Sequence, residues 1–372
     1  MKWSCKIGRY LGIDVNVHLT FVLLLAFVGF SNWMVDHSIH AAVSGVAFFL
    51  GLFLCVLLHE FGHALTARLY GIRTVNITLL PIGGVARLER MPEKPSQELC
   101  VALAGPAVNV VIACVLGAWL TFTGGWQPVS ELGMASGGLV ERLFAANIML
   151  VIFNLLPAFP MDGGRVLRAL LAMKMPHARA TRVAGGIGKG AALVMGGIGF
   201  FYSPMLVFVA LFVWLGATQE TAAAEMKSTL AGVPVRDAML TNYASLRPDT
   251  PLFDVADLLI AGSQQDFPVM DDGRIVGVVT REDVFRTIRT RGDHTFAETI
   301  MRTDFHVAHP DDLLEDVIAR SSDSGCSMVI VVSNRRPLGL LTAENISEVF
   351  MLRSAKIFRK EDAAAGALLP GI

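Results

Sequence analysis

Leu57-Leu58-His59-Glu60-Phe61-Gly62-His63 closes an apolar run that begins near residue 42. At 3.6 residues per turn, His59 and His63 stand one turn apart on one helical face. Two imidazoles so placed can both reach one Zn²⁺ at about 2.0–2.1 Å. Glu60, beside the first of them, can take a proton from water activated by the metal. Counted from residue 42, His59 lies roughly 26 Å along an apolar layer about 30 Å thick. An unpaired acid at that depth costs about 2.5–3.5 kcal/mol on insertion scales. A helix end that merely carries polar residues is therefore the poorer reading, and a cationic partner the better one.

The rest of the chain supports a membrane setting for that helix. The protein has 372 residues, 53% hydrophobic and 17% charged, with mean hydropathy +0.55. Residues 1–225 carry 26 of the 63 charged side chains and the remaining 147 residues carry 37, so a lipid-embedded first part is followed by a water-soluble second part. A net charge of −1 gives no basic face for nucleic acid. The five cysteines are scattered without a CxxC pair, a pattern from which no disulfide framework or thiolate zinc site follows.

Apolar runs at 17–34, 42–67, 99–122 and 138–158 each read as one span. The stretch 186–219, interrupted at Tyr202-Ser203-Pro204, is too long for one span of about 20 residues and reads as two. That predicts a polytopic α-helical membrane protein of about six transmembrane helices. Of the 15 Lys and Arg in residues 1–225, 14 flank the spans on one side, which the positive-inside rule makes cytoplasmic. The protein is thus expected in the cell membrane, with its N-terminus and its soluble part in the cytoplasm.

Two histidines leave a catalytic zinc one protein ligand short. The fourth run ends Asn154-Leu155-Leu156-Pro157-Ala158-Phe159-Pro160-Met161-Asp162-Gly163-Gly164. Its prolines break the helix and its glycines permit a sharp turn, so Asp162 is expected near the histidine pair as a carboxylate third ligand.

His59-Glu60-Phe61-Gly62-His63 on one span and this Asn154–Gly164 segment on a later one resemble the site-2 protease family of intramembrane zinc metalloproteases. Pro81-Ile82-Gly83-Gly84 and Ala104-Gly105-Pro106-Ala107-Val108-Asn109 add to the likeness, which covers nearly all of residues 1–222. The resemblance implies one Zn²⁺ on His59, His63 and Asp162, Glu60 as catalytic base, and Asn154 near the substrate or oxyanion. It also implies a membrane-dipping segment around Pro81–Gly84 and a transmembrane protein as substrate, cut within or near its membrane segment. A shielded helical peptide bond must unwind before attack.

Beyond residue 232 the chain repeats itself at a constant offset of 62: Met239 and Met301, Pro248 and Pro310, Asp254 and Asp316, Gly277 and Gly339, Thr280 and Thr342. Each copy reads helix, two short strands, helix, with Asp271-Asp272-Gly273 as a hairpin turn in the first. The repeat resembles a pair of cystathionine-β-synthase (CBS) domains, a soluble α+β module. The expected division is a protease domain at 1–222, a linker at 223–233, CBS domains at 234–292 and 296–352, and a tail at 353–372. The resemblance implies regulation, with an ATP- or AMP-type nucleotide on Thr280 and Asp283, or a scaffold through which two chains pair. Asn345 stands where the first copy has Asp283. A CBS-regulated transporter or channel is the rival function, but it leaves His59, His63 and Asp162 unexplained.

Overall fold

In the computed structural model, the described residues are 3–81, 83–92, 94–125, 137–291, 295–321, 328–333 and 336–367, with side chains to 355. Ile82 of the Pro81–Gly84 segment and the last five residues of the tail lie outside them. The chain divides into two compact units, Met1–Ala224 and Glu225–Ile372.

The first unit begins with strands β1 (Ser4–Tyr10) and β2 (Ile13–His18) and continues into helices α1 (Leu19–Asp36) and α2 (Ile39–Leu69). Strands β3 (Thr74–Leu80) and β4 (Gly83–Leu88) follow, then α3 (Pro95–Thr123), α4 (Leu139–Asn154), α5 (Asp162–Ala172), α6 (His177–Tyr202) and α7 (Pro204–Leu230). Among the described residues, α1, α2, α3, α6 and α7 are long and apolar enough to cross a membrane. With α4 the apolar helices number six, in the predicted order, but the 16 residues of α4 fall short of the about 20 that span a bilayer. The interruption at residue 203 is a true helix break. Ser203 is extended at φ −160° and ψ 113°, as a residue before proline tends to be, and Pro204 begins α7.

The four strands form a sheet of order β1-β2-β3-β4, which the sequence reading did not anticipate. β2 pairs parallel with β3, and β3 antiparallel with β4. Ile13, Val15 and Ile77 on this sheet bury against Phe61 and Ala64 of α2, so the sheet is fastened to the helix that carries the histidine motif. Burial of each large side chain contributes roughly 1.5–3 kcal/mol. The first helix correspondingly starts two residues later than the expected run 17–34, with the same 18 residues. Val17 and His18 end β2, and His18 caps α1 by accepting from the Thr20 amide.

The second unit contains α8 (Leu252–Ala261), β5 (Asp266–Asp271), β6 (Arg274–Thr280), α9 (Arg281–Arg291), α10 (Ala297–Ile300), β7 (His306–Ala308), α11 (Leu314–Ser321), β8 (Met328–Ser333), β9 (Arg336–Thr342) and α12 (Ala343–Ala367). The offset of 62 reappears in the backbone: β5 and β6 superpose in number on β8 and β9, and the bulge at Val269/Met270 returns at Val331/Val332. Asp272 and Gly273 both have positive φ, 46° and 75°, the requirement of the tight hairpin turn expected there. Val278 of the first copy packs with Met328, Ile330 and Leu340 of the second in one buried cluster, so the two copies share a core.

Candidate metal centre

Three helices bring the candidate ligands together. α2 supplies His59 and His63 one turn apart, and α5 supplies Asp162 as its first residue. The first turn of α5 folds tightly onto the segment after α4, where a Cβ on Gly163 would strike the Leu155 and Leu156 carbonyls; only glycine permits that approach. α3 closes the site from the other side.

His59 Nε2 and His63 Nε2 are 3.0 Å apart, and Asp162 Oδ2 is 3.1 Å from each. All three residues are buried. His59 Nδ1 meets Asn109 Oδ1 at 2.5 Å and His63 Nδ1 meets the Val101 carbonyl at 2.7 Å, both partners lying on α3. A ring nitrogen facing such an acceptor carries the proton, so each neutral imidazole turns a bare Nε2 lone pair inward. Two lone pairs and a carboxylate oxygen thus converge in a buried space, an arrangement that repels itself unless a cation sits among them.

The donor set fits zinc. Ligands on a tetrahedral ion at 2.0–2.1 Å lie roughly 3.3 Å from one another, and the three atoms stand a few tenths of an ångström inside that spacing. Space for the ion is kept by Gly105 of α3. A Cβ there would lie 2.6 Å from His59 Nε2 and collide with His63 Nε2.

Glu60 points to the neighbouring side of α2. Its Oε2 accepts from the Ala86 amide of β4 at 3.3 Å, and its carboxylate lies within electrostatic range of His59, His63, Asp162 and Arg165. β4 is the last strand of the sheet, and a Cβ on its Gly84 would meet Glu60 Cγ at 2.7 Å, so the start of β4 lies directly against Glu60. Asn154 ends α4, half-buried, and is not among the groups bonded to the three donors.

Sequence reasoning missed Asn109 and Asn147 as supports. Asn109 Nδ2 donates to Asn147 Oδ1 at 2.8 Å, and Asn147 Nδ2 donates to the Leu143 carbonyl at 2.8 Å. Two fully buried asparagines on apolar helices were the available signal, since a polar group there needs a partner.

At the repeat, Thr280 and Asp283 do come together. Thr280 Oγ1 donates to Asp283 Oδ2 at 2.6 Å and accepts from the Asp283 amide at 3.3 Å, a capping arrangement at the start of α9. Arg302 closes on the same carboxylate with two bonds of 2.7 and 2.9 Å.

The model of peptidase family M50 matches residues 47–143 and 130–195, and the CBS-domain model matches residues 235–290 and 297–352. The chain is 30% identical to zinc metalloprotease MJ0392 of Methanocaldococcus jannaschii over 358 residues, 96% of this chain and 98% of that protein. It is 33% identical to stage IV sporulation protein FB of Bacillus subtilis over 135 residues, 36% of this chain and 43% of that protein. The solved site-2 protease from Methanocaldococcus jannaschii matches at 38% identity and TM-score 0.44, over 59% of this chain and 95% of that one.

Proposed function

Because the chain belongs to peptidase family M50, the site-2 zinc metalloproteases, and carries a tandem CBS pair, we propose that it hydrolyses a peptide bond within or near a transmembrane segment of another membrane protein. The observation that carries this reading is the meeting of His59 Nε2, His63 Nε2 and Asp162 Oδ2 at 3.0–3.1 Å beside Glu60.

His59, His63 and Asp162 are the residues that would hold the metal. When bound, zinc supplies Lewis acidity, polarising the scissile carbonyl and making water a stronger acid. Asn109 and the Val101 carbonyl keep both imidazoles in the tautomer whose Nε2 is free. Glu60 takes the proton from the attacking water and returns it to the leaving nitrogen, and the Ala86 amide holds its carboxylate in place. The outer edge of β4 offers backbone groups to an extended chain, a form that a substrate helix reaches only by unwinding. Asn154 is proposed as a substrate contact at the end of α4.

The basic flanks of the spans favour a cytoplasmic placement for this end of α2 and for the CBS pair. The pair acts as a regulatory module in this reading, and two chains associate through it. A nucleotide ribose on Thr280 and Asp283 would have to displace Arg302 from the carboxylate.

The deciding experiment compares wild type with Glu60→Gln on a candidate membrane substrate in detergent, with zinc content measured for each. Zinc in both and cleavage by wild type alone supports the assignment. Absence of zinc from both sinks it.

A further inference from the structure

A cavity of about 660 Å³ opens where the β1–β2 turn, the last turn of α2 and the start of β3 meet. It is separate from the metal centre, whose ligands do not line it. Its floor is Ile13 and Ala64, and its walls carry Arg9, Arg68, Arg73 and Thr74. We propose that this cavity binds a single phosphate group, carried by a lipid headgroup or by a soluble phosphate ester.

The charges favour an anion. Three guanidiniums face two carboxylates, Asp14 and Glu89, and Asp14 is already answered from outside the lining by Lys6 at 2.7 Å. Arg9 gives its Nε to the Gly12 carbonyl at 3.2 Å and approaches Asp14 at 3.7 Å, while Arg68 gives one Nη to the Leu11 carbonyl. Each guanidinium has five N–H groups, so both anchor the turn and retain donors for a ligand.

Shape and position narrow the ligand. Arginine forks match the several oxygens of phosphate better than a lone charge does. Glu89 keeps the positive surplus small, which suits one phosphate and disfavours a polyphosphate chain. Arg68 is the next-to-last residue of a helix long and apolar enough to cross a membrane, which puts the cavity at headgroup depth, where basic pockets meet anionic lipid. A space of this volume is within the range of small-ligand sites.

The test uses the full-length protein in neutral detergent with two probes: phosphatidylglycerol, followed by native mass spectrometry, and glycerol 3-phosphate, followed by calorimetry. Arg73→Gln and the charge-reversing Arg73→Glu, both at an exposed side chain, should weaken binding, Arg73→Gln by about tenfold. Loss for phosphatidylglycerol alone assigns the lipid headgroup. Loss for glycerol 3-phosphate, with or without the lipid, assigns a phosphate ester recognised through its phosphate. Unchanged binding of both probes in variants that melt like wild type, or no saturable binding by wild type, overturns the proposal.

Discussion

Asn109 Oδ1 stands 2.5 Å from His59 Nδ1, so a residue of one apolar helix fixes the tautomer of a histidine on the next. The contact is buried on both sides, and Asn109 is itself held by Asn147. Replacing Asn109 with Ala removes the acceptor and frees the His59 ring to rotate or to protonate Nε2 instead. Zinc affinity is expected to fall about 10–100-fold, read as zinc retained against a graded chelator. Asn109→Asp preserves the acceptor toward His59 but gives up the donor to Asn147, so it should lose less zinc affinity than Asn109→Ala; equal loss in both variants would count against the contact to His59 as the source.

Gly105 supports a sharper expectation. A Cβ at this position occupies the volume between the two Nε2 atoms, so Gly105→Ala should abolish zinc binding and cut cleavage by at least about a hundredfold, as a small misplacement of a site can. The α3 backbone accepts alanine readily. Helical content by circular dichroism should therefore match wild type while zinc content falls to background.

The meeting of His59, His63 and Asp162 was legible in the sequence, and most of the sheet was not. The spacing of His59 and His63 is a local helical fact, and the two prolines before Asp162 mark a helix end wherever they occur. The strands were harder because β2 and β3 are partners across two intervening helices, so their pairing is set by tertiary packing. Ile13-Asp14-Val15-Asn16-Val17-His18 does alternate with a period of two, but it runs straight into an apolar helix and was absorbed into it. Asn109 lay within a quoted motif, and its role depended on which face of α3 meets His59, which sequence spacing cannot give.

Arg168 ties three helices of the first unit together. Its guanidinium meets Glu98 Oε1 of α3 at 2.6 Å and Glu220 Oε1 of α7 at 2.5 Å, and it lies over the Phe159 ring at 5.1 Å. Arg168 and Glu98 are both buried. Arg168→Ala leaves Glu98 without its principal partner and should destabilise by about 3–5 kcal/mol, seen as a lower Tm in detergent. Because Arg168 lies on the helix that begins with Asp162, zinc affinity should fall in the same variant. Wild-type Tm would refute the stabilising role.

Asp283 gives the second unit a predictable acid response. Burial works to raise its pKa, but hydrogen bonds from Arg302 and Thr280 and the charges of Arg302 and Arg286 outweigh it and hold the carboxyl below its ordinary value. A depressed native pKa contributes stability that is complete above the unfolded pKa of about 3.9 and disappears as pH falls through the native value. Thermal melting of the CBS unit should therefore weaken as pH drops from about 5 to about 3, and Asp283→Asn should flatten that slope. An identical slope in the variant would remove Asp283 as its source.

The repeat offers an internal control for nucleotide binding. Arg302 bonds through its backbone to Val278, and Leu240, 62 residues earlier, bonds in the same way to Leu340. Arg302 of the second copy therefore meets Asp283 of the first, while Leu240 of the first copy stands where the matching arginine would be and Asn345 of the second where the acid would be. Acid and arginine occur together, amide and leucine occur together, as expected if Arg302 serves mainly to neutralise Asp283. If a ribose competes for that carboxylate, Arg302→Ala should lower the Tm yet tighten AMP binding by about tenfold, since displacing a charged double hydrogen bond no longer opposes entry. Calorimetry with AMP checks it. Weaker binding in Arg302→Ala would mean that the arginine contacts the nucleotide itself, and no binding to either protein would leave the pair as a scaffold.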